Sequence, residues 1–281
     1  MGKPLQSFRR YLLDRMVLRP SRAHIPHGVQ TRVMMDVCGR SLECFVQRNF
    51  DDDGPADLLV VKFPGTAGRA ERSSMAPVSM LDGVRGEVWT WNPPGYGRSE
   101  GRASLQSIAI ASRQFFRNVV QAGYASRNAD PRAIWLCGNS LGCNVALHVA
   151  ATMERGDVSG GLVLRNPPPL IPVVMRIAGQ YPLGQRVRPI AESLGDEMNA
   201  MKTAPLVSLP AVFMQSGKDE LVPPSIQDEL IDCYGGDRRV VKLSGLKHAG
   251  IASPDQEALI EKEIRWLWNQ TGKESPTCMT Q

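Results

Sequence analysis

Six short apolar runs alternate with helical stretches, and this alternation constrains the chain more than any other feature. The runs are "DLLVVKFPG", "GEVWTWNPPGYG", "RAIWLCG", "GGLVLRNPPP", "PAVFMQSGKDE" and "RRVVKLSG". Each reads as a strand that stops at glycine, proline or a polar turn. Between and after them the apolar spacing becomes helical. Ser104 caps a predicted helix in which Leu105, Ile108, Phe115 and Val119 share a side and which Gly123 ends. "LGCNVALHVAATME" is a second helix, and Pro223-Pro224 starts a third of about a dozen residues. The last begins at Ser253-Pro254 with a Gln256 capping box, and turns Ile260, Ile264, Leu267 and Trp268 to the sheet. Strands alternating with helices imply an α/β fold with a mostly parallel sheet covered on both faces. "TRVMMDVCG" and "RSLECFVQRN" precede this pattern as a strand pair joined by a Cys-Gly-Arg turn. They fit an antiparallel edge and bring the sheet to about eight strands. Such sheets present ligands at the carboxyl ends of their strands.

A chain of 281 residues can bury a substantial core as one large domain or two small ones. No run approaches the length of a membrane span, and "YLLDRMVL" is broken by Asp14 and Arg15, unlike a secretory signal. The six cysteines show no paired metal spacing and read as reduced thiols of a cytoplasmic protein. Cys137 and Cys143 read as small buried side chains. Residues 1–23 carry a net charge of +5, equal to that of the whole chain. The remainder is neutral in sum, which argues against a broad nucleic-acid surface. Basic character is concentrated in a leader, residues 1–30, where Leu5, Phe8, Leu12 and Met16 stand at helical spacing. Two readings stand for it: packing on the domain that follows, or peripheral membrane contact through residues 1–23. A tail at 271–281 is expected to fray.

"CGNSLGC", residues 137–143, places Ser140 between the end of a strand and the start of a helix. A serine at such a sharp turn needs small neighbours two positions away, and Gly138 and Gly142 supply them. The helix that starts near Leu141 points its positive end at charge forming beside the serine. A serine hydroxyl needs a base to take its proton. Of four histidines, His24 and His27 precede the sheet and His148 lies two turns along the following helix. His248, in "LKHAG", alone follows a strand. An orienting carboxylate is expected from Asp219 in "SGKDELVPP", with Glu220 as runner-up.

These stretches, with "FPGTAG" and "NPPGYGRSEG", resemble the α/β-hydrolase superfamily over residues 31–270, near its serine-peptidase-like and acyl-thioesterase-like bacterial branch. Ser140, Asp219 and His248 follow the chain order of that family's triads. Asn92 stands where many members carry Asp, at a position that supports loops. The resemblance implies an oxyanion hole made by the backbone N–H groups of Leu141 and Thr66, with Ala67 next to Thr66 as the second choice. The usual histidine of that loop is absent, because the chain reads Pro64-Gly65-Thr66. Residues 169–209 are too long for a simple connection and resemble a small cap insert. Its apolar start, Leu170 to Met175, lines an acyl pocket or packs on the core. Arg176, Arg186 and Arg188 receive an anionic group or face solvent.

The resemblance implies a serine hydrolase that cleaves carboxylic esters or thioesters of small acyl substrates through an acyl-enzyme, with no metal or organic cofactor. Two alternatives stand beside it, a serine peptidase on the same triad and a non-catalytic binding protein on this fold. The lack of G-x-G-x-x-G after the first strand argues against hydride transfer. A dehalogenase-type member would carry Asp where Ser140 stands.

Overall fold

The computed structural model describes residues 3–125, 131–153 and 159–272; of the tail expected at 271–281, all but its first two residues lie outside these. A first helix, α1 (Lys3–Val17), precedes the edge strands β1 (Thr31–Asp36) and β2 (Ser41–Arg48). Cys38 and Gly39 both have positive φ, and Val37 and Arg40 exchange backbone hydrogen bonds across them. That is the two-residue turn whose twist matches an antiparallel pair. The alternating body follows: β3 (Leu58–Phe63), β4 (Gly86–Trp91), α2 (Leu105–Ala125), β5 (Ala133–Asn139), α3 (Leu141–Ala151) and β6 (Gly160–Arg165). Residues between β6 and β7 form short helices α4 (Leu170–Ala178), α5 (Arg188–Ala191) and α6 (Ala200–Thr203), joined by 3-10 turns. β7 (Ala211–Ser216), α7 (Pro224–Asp232), β8 (Arg238–Leu243) and α8 (Pro254–Thr271) complete the chain.

The eight strands form one sheet in the order β1-β2-β4-β3-β5-β6-β7-β8. β2 is antiparallel to both its neighbours, and every pair from β4 onward is parallel. The continuous apolar runs are buried on two sides. Along β3, Leu59, Val61 and Phe63 join the core under α2 and α3, while Leu58 and Val60 join the core under α8. The alternation is the period-two geometry of a strand.

Three sequence expectations need correction. α2 runs past Gly123 to Ala125; a glycine inside a helix weakens it but does not stop it. α7 has nine residues rather than a dozen. The stripe Leu5, Phe8 and Met16 of α1 is exposed, and Leu13 and Leu18 enter the core instead. The crossover from β3 to β4 holds only two 3-10 turns, Ala70–Arg72 and Val78–Met80. A cavity of about 540 Å³ lies where a crossover helix would cover the sheet, walled by Phe63, Met80, Val163, Ile260 and Ile264.

Candidate active site

The backbone at Ser140 is strained. It has φ 51° and ψ −123°, a conformation that costs a non-glycine residue about 1–3 kcal/mol. Its N–H donates to Arg165 O at 2.8 Å and its carbonyl accepts from Cys143 N at 2.8 Å. The flanking glycines are required sterically. A Cβ on Gly138 would lie 2.5 Å from Cys143 Cα, and one on Gly142 would lie 1.9 Å from Phe63 O. Cys137 and Cys143 are buried, and burial pushes the Cys137 thiol up to about 12. Both are therefore inert packing groups.

Three strand ends deliver three side chains to one place. The loop after β8 brings His248 Nε2 to 3.1 Å from Ser140 Oγ. The loop after β7 brings Asp219 Oδ2 to 2.6 Å from His248 Nδ1. A buried carboxylate can only accept, so Nδ1 carries the proton and Nε2 offers its lone pair to the serine hydroxyl. Asp219 is itself fixed, because Oδ1 accepts from Leu221 N at 3.0 Å and Val222 N at 2.8 Å. Glu220 is exposed, and its carbonyl accepts from Arg176. His24 is exposed, His27 pairs with Gln30 O, and His148 is buried inside α3.

The backbone of the loop after β3 runs against the serine. A Cβ on Gly65 would lie 3.3 Å from Ser140 Cβ and 2.9 Å from Asn139 O. Gly65 O accepts from Gly68 N at 2.9 Å, so Thr66 and Ala67 occupy the corner of a tight turn. Leu141 is the first residue of α3, where backbone N–H groups lack intrahelical partners.

Several supporting residues escaped the sequence reading. Tyr96 Oη donates to Thr66 O at 2.8 Å and so holds that turn. Burial pushes the Tyr96 hydroxyl up to about 12, which keeps it a donor at neutral pH. Asn166 is buried with φ 51°. Its amide donates to His248 O and Ser216 Oγ, both at 3.0 Å, while its Oδ1 accepts from Ser216 N at 2.9 Å. Arg165 accepts from Ser140 N through its carbonyl and donates to Gly250 O through its guanidinium. A polar pair ending a buried strand, "LRN", is the signal that could have flagged both. Asn92 supports a loop as expected. It is buried, accepts from Ala70 N, and donates to Glu43 and Glu71.

The start of the insert packs largely on the core: Leu170 and Val174 are buried in it, and Ile171 and Met175 lean on it; Val173 is buried as well. Arg188 pairs with Glu192 and Arg186 is exposed. Among the described residues, no group of three or more His, Cys, Asp or Glu side chains is arranged to hold a metal ion.

No protein-family model matches the chain. An uncharacterized protein of Mycobacterium tuberculosis is 27% identical over 216 residues, covering 76% of this chain and 70% of that protein. A Pyrococcus furiosus esterase superposes with a TM-score of 0.65 at 15% identity, covering 92% of this chain and 98% of that one. A Pyrococcus horikoshii acylaminoacyl peptidase gives 0.61 at 12% identity over 88% of this chain and 42% of that one. Strand order, the turn at Ser140 and these superpositions agree: the chain has the α/β-hydrolase fold.

Proposed function

We propose that the protein is a serine hydrolase that cleaves carboxylic ester or thioester bonds. The observation that carries this reading is the chain of hydrogen bonds from Asp219 through His248 to Ser140. The likeness to an esterase supports it at the level of the fold. Ser140 Oγ attacks the acyl carbonyl carbon while its proton passes to His248 Nε2. Asp219 stabilises the imidazolium that results. The carbonyl oxygen takes up the displaced electron pair and rests on the N–H groups of Thr66 and Leu141. Each such donor contributes about 3–4 kcal/mol in the transition state. Collapse breaks the bond to the alcohol or thiol, which leaves with the proton from Nε2. Water then attacks the acyl-serine, gives a proton to Nε2, and the second collapse returns that proton to Oγ and frees the acid.

The apolar start of the insert turns mainly into the core. The cavity beside β3 borders Gly65 and Asn139, the residues that touch and precede Ser140, and its walls are largely apolar. The acyl group is placed there.

The test is fluorophosphonate labelling and turnover of nitrophenyl esters against aminoacyl anilides. Wild type should label and hydrolyse esters, and Ser140→Ala should do neither. Labelling that persists in Ser140→Ala removes the nucleophile. Anilide turnover faster than ester turnover favours the peptidase reading, which uses the same three groups.

A further inference from the structure

α1 has two apolar faces, and the fold uses one. At about 100° per residue, Leu13 and Val17 fall on the side that packs against α5 and the core. Leu13 and Leu18 are 2% and 4% exposed. Leu5, Phe8, Leu12 and Met16 cluster within about 80° on a different side. Leu5, Phe8 and Met16 are 47%, 56% and 37% exposed. Burial of these side chains is left undone by the folded domain.

The charges around the stripe say what covers it. Arg9 borders it on the Met16 side and Arg15 on the Phe8 side, each about 20° beyond the last apolar residue. Arg15 also lines a cavity of about 670 Å³ between the end of α1 and the 95–103 loop, together with Arg19, Arg22 and Arg102. Asp14 is the one acid in that lining. Arg102 lies over the Tyr11 ring at 4.8 Å, which joins the basic cavity to the helix surface. An apolar stripe edged by arginines and continuous with a cationic hollow is complementary to a surface that is apolar beneath and anionic on top.

We propose that α1 docks the protein on an anionic phospholipid surface. The stripe enters the boundary between headgroups and acyl chains, and the arginine hollow takes a lipid phosphate. A second copy of the chain would bring arginines against arginines, and so fits the face less well. Among the described residues no helix is long and apolar enough to cross a membrane. The proposal does not depend on the hydrolase reading.

Flotation of the full chain with phosphatidylcholine vesicles, with and without phosphatidylglycerol, tests it. Binding should require phosphatidylglycerol and weaken as salt is raised. The variant Leu5→Ser/Phe8→Ser/Met16→Ser changes exposed positions only, should keep the wild-type melting temperature, and should bind at least tenfold more weakly. Arg15→Gln should weaken binding about fivefold. Wild type that ignores phosphatidylglycerol overturns the proposal, whatever the variants do. So does a dimer in sedimentation that the triple variant dissolves, in the absence of vesicle binding. Inorganic phosphate bound by a chain that fails to float assigns the hollow to a soluble anion and equally overturns it.

Discussion

Asn92 sits between two carboxylates, and this explains why an aspartate is not found there. Its amide hydrogens go to Glu43 Oε2 at 2.8 Å and Glu71 Oε2 at 3.0 Å. Its oxygen accepts from Ala70 N and Arg69, and Arg69 also pairs with Glu71. Asn92→Asp would keep the acceptor but replace both donors with a third buried negative charge. A buried polar group left without its partner costs about 1–3 kcal/mol, and more when charged. Chemical denaturation should show Asn92→Asp destabilised by at least about 2 kcal/mol. Tyr96 makes a different kind of contribution. It holds a backbone turn and touches no reacting atom, so Tyr96→Phe removes one hydrogen bond, worth about 1 kcal/mol net. The expected result is a kcat on nitrophenyl esters lowered roughly fivefold at nearly constant KM. A raised KM with constant kcat would detach Tyr96 from the proposed role of the turn at Thr66. The meeting of Ser140, Asp219 and His248 was legible in the sequence because each follows a strand end on one side of the sheet. Tyr96 and Asn166 were not, because each acts on a backbone carbonyl that only the fold brings near.

Elements were legible where one physical signal dominated. The capping box of α8 forms as written, with Gln256 N donating to Ser253 Oγ and Ser253 N donating to Gln256 Oε1. Gly123 misled because a glycine lowers helix propensity without ending the helix. The stripe of α1 misled for another reason. Periodicity marks an apolar face without saying what it meets, and this helix carries two. α3 was read as a helix; the structure buries it, and its His148 has a measurable consequence. Burial holds the imidazole below its ordinary value of 6.5, and Arg113 on α2 pushes the same way. Glu197 and a hydrogen bond with the Ala109 backbone oppose both. Below about pH 6.5 the unfolded chain therefore takes up a proton that the folded chain refuses. Stability contributed by this site is intact above that pH and is lost as pH falls toward the depressed folded value. His148→Gln should flatten the fall in melting temperature between neutral and mildly acidic buffer. Parallel profiles for the two proteins would show that His148 titrates alike in both states.

At the scale of the whole molecule, the basic leader read from the sequence is a structural member. Leu13 and Leu18 belong to the main core. Asp14 accepts from Leu105 N at 2.8 Å, at the first turn of α2. Ser21 O accepts from Gly97 N and from Arg69, and Ala23 O accepts from Arg69 as well. Composition marked residues 1–23 as basic, but these ties run through backbone carbonyls and long-range packing, which leave no trace in a local sequence window. Removing residues 1–23 uncovers two leucine sites, worth about 3–6 kcal/mol together, and strips Arg69 of two of its acceptors. Gly97 loses its partner in the loop that carries Tyr96, so the strain passes toward Thr66. The truncated chain should melt well below the full chain and turn over esters more slowly, although none of the deleted residues lies at Ser140. Vesicle binding lost by such a truncation would therefore be ambiguous, whereas the exposed point variants leave these ties in place. A truncated chain with the full melting temperature and kcat would mean that the segment rests on the domain without supporting it.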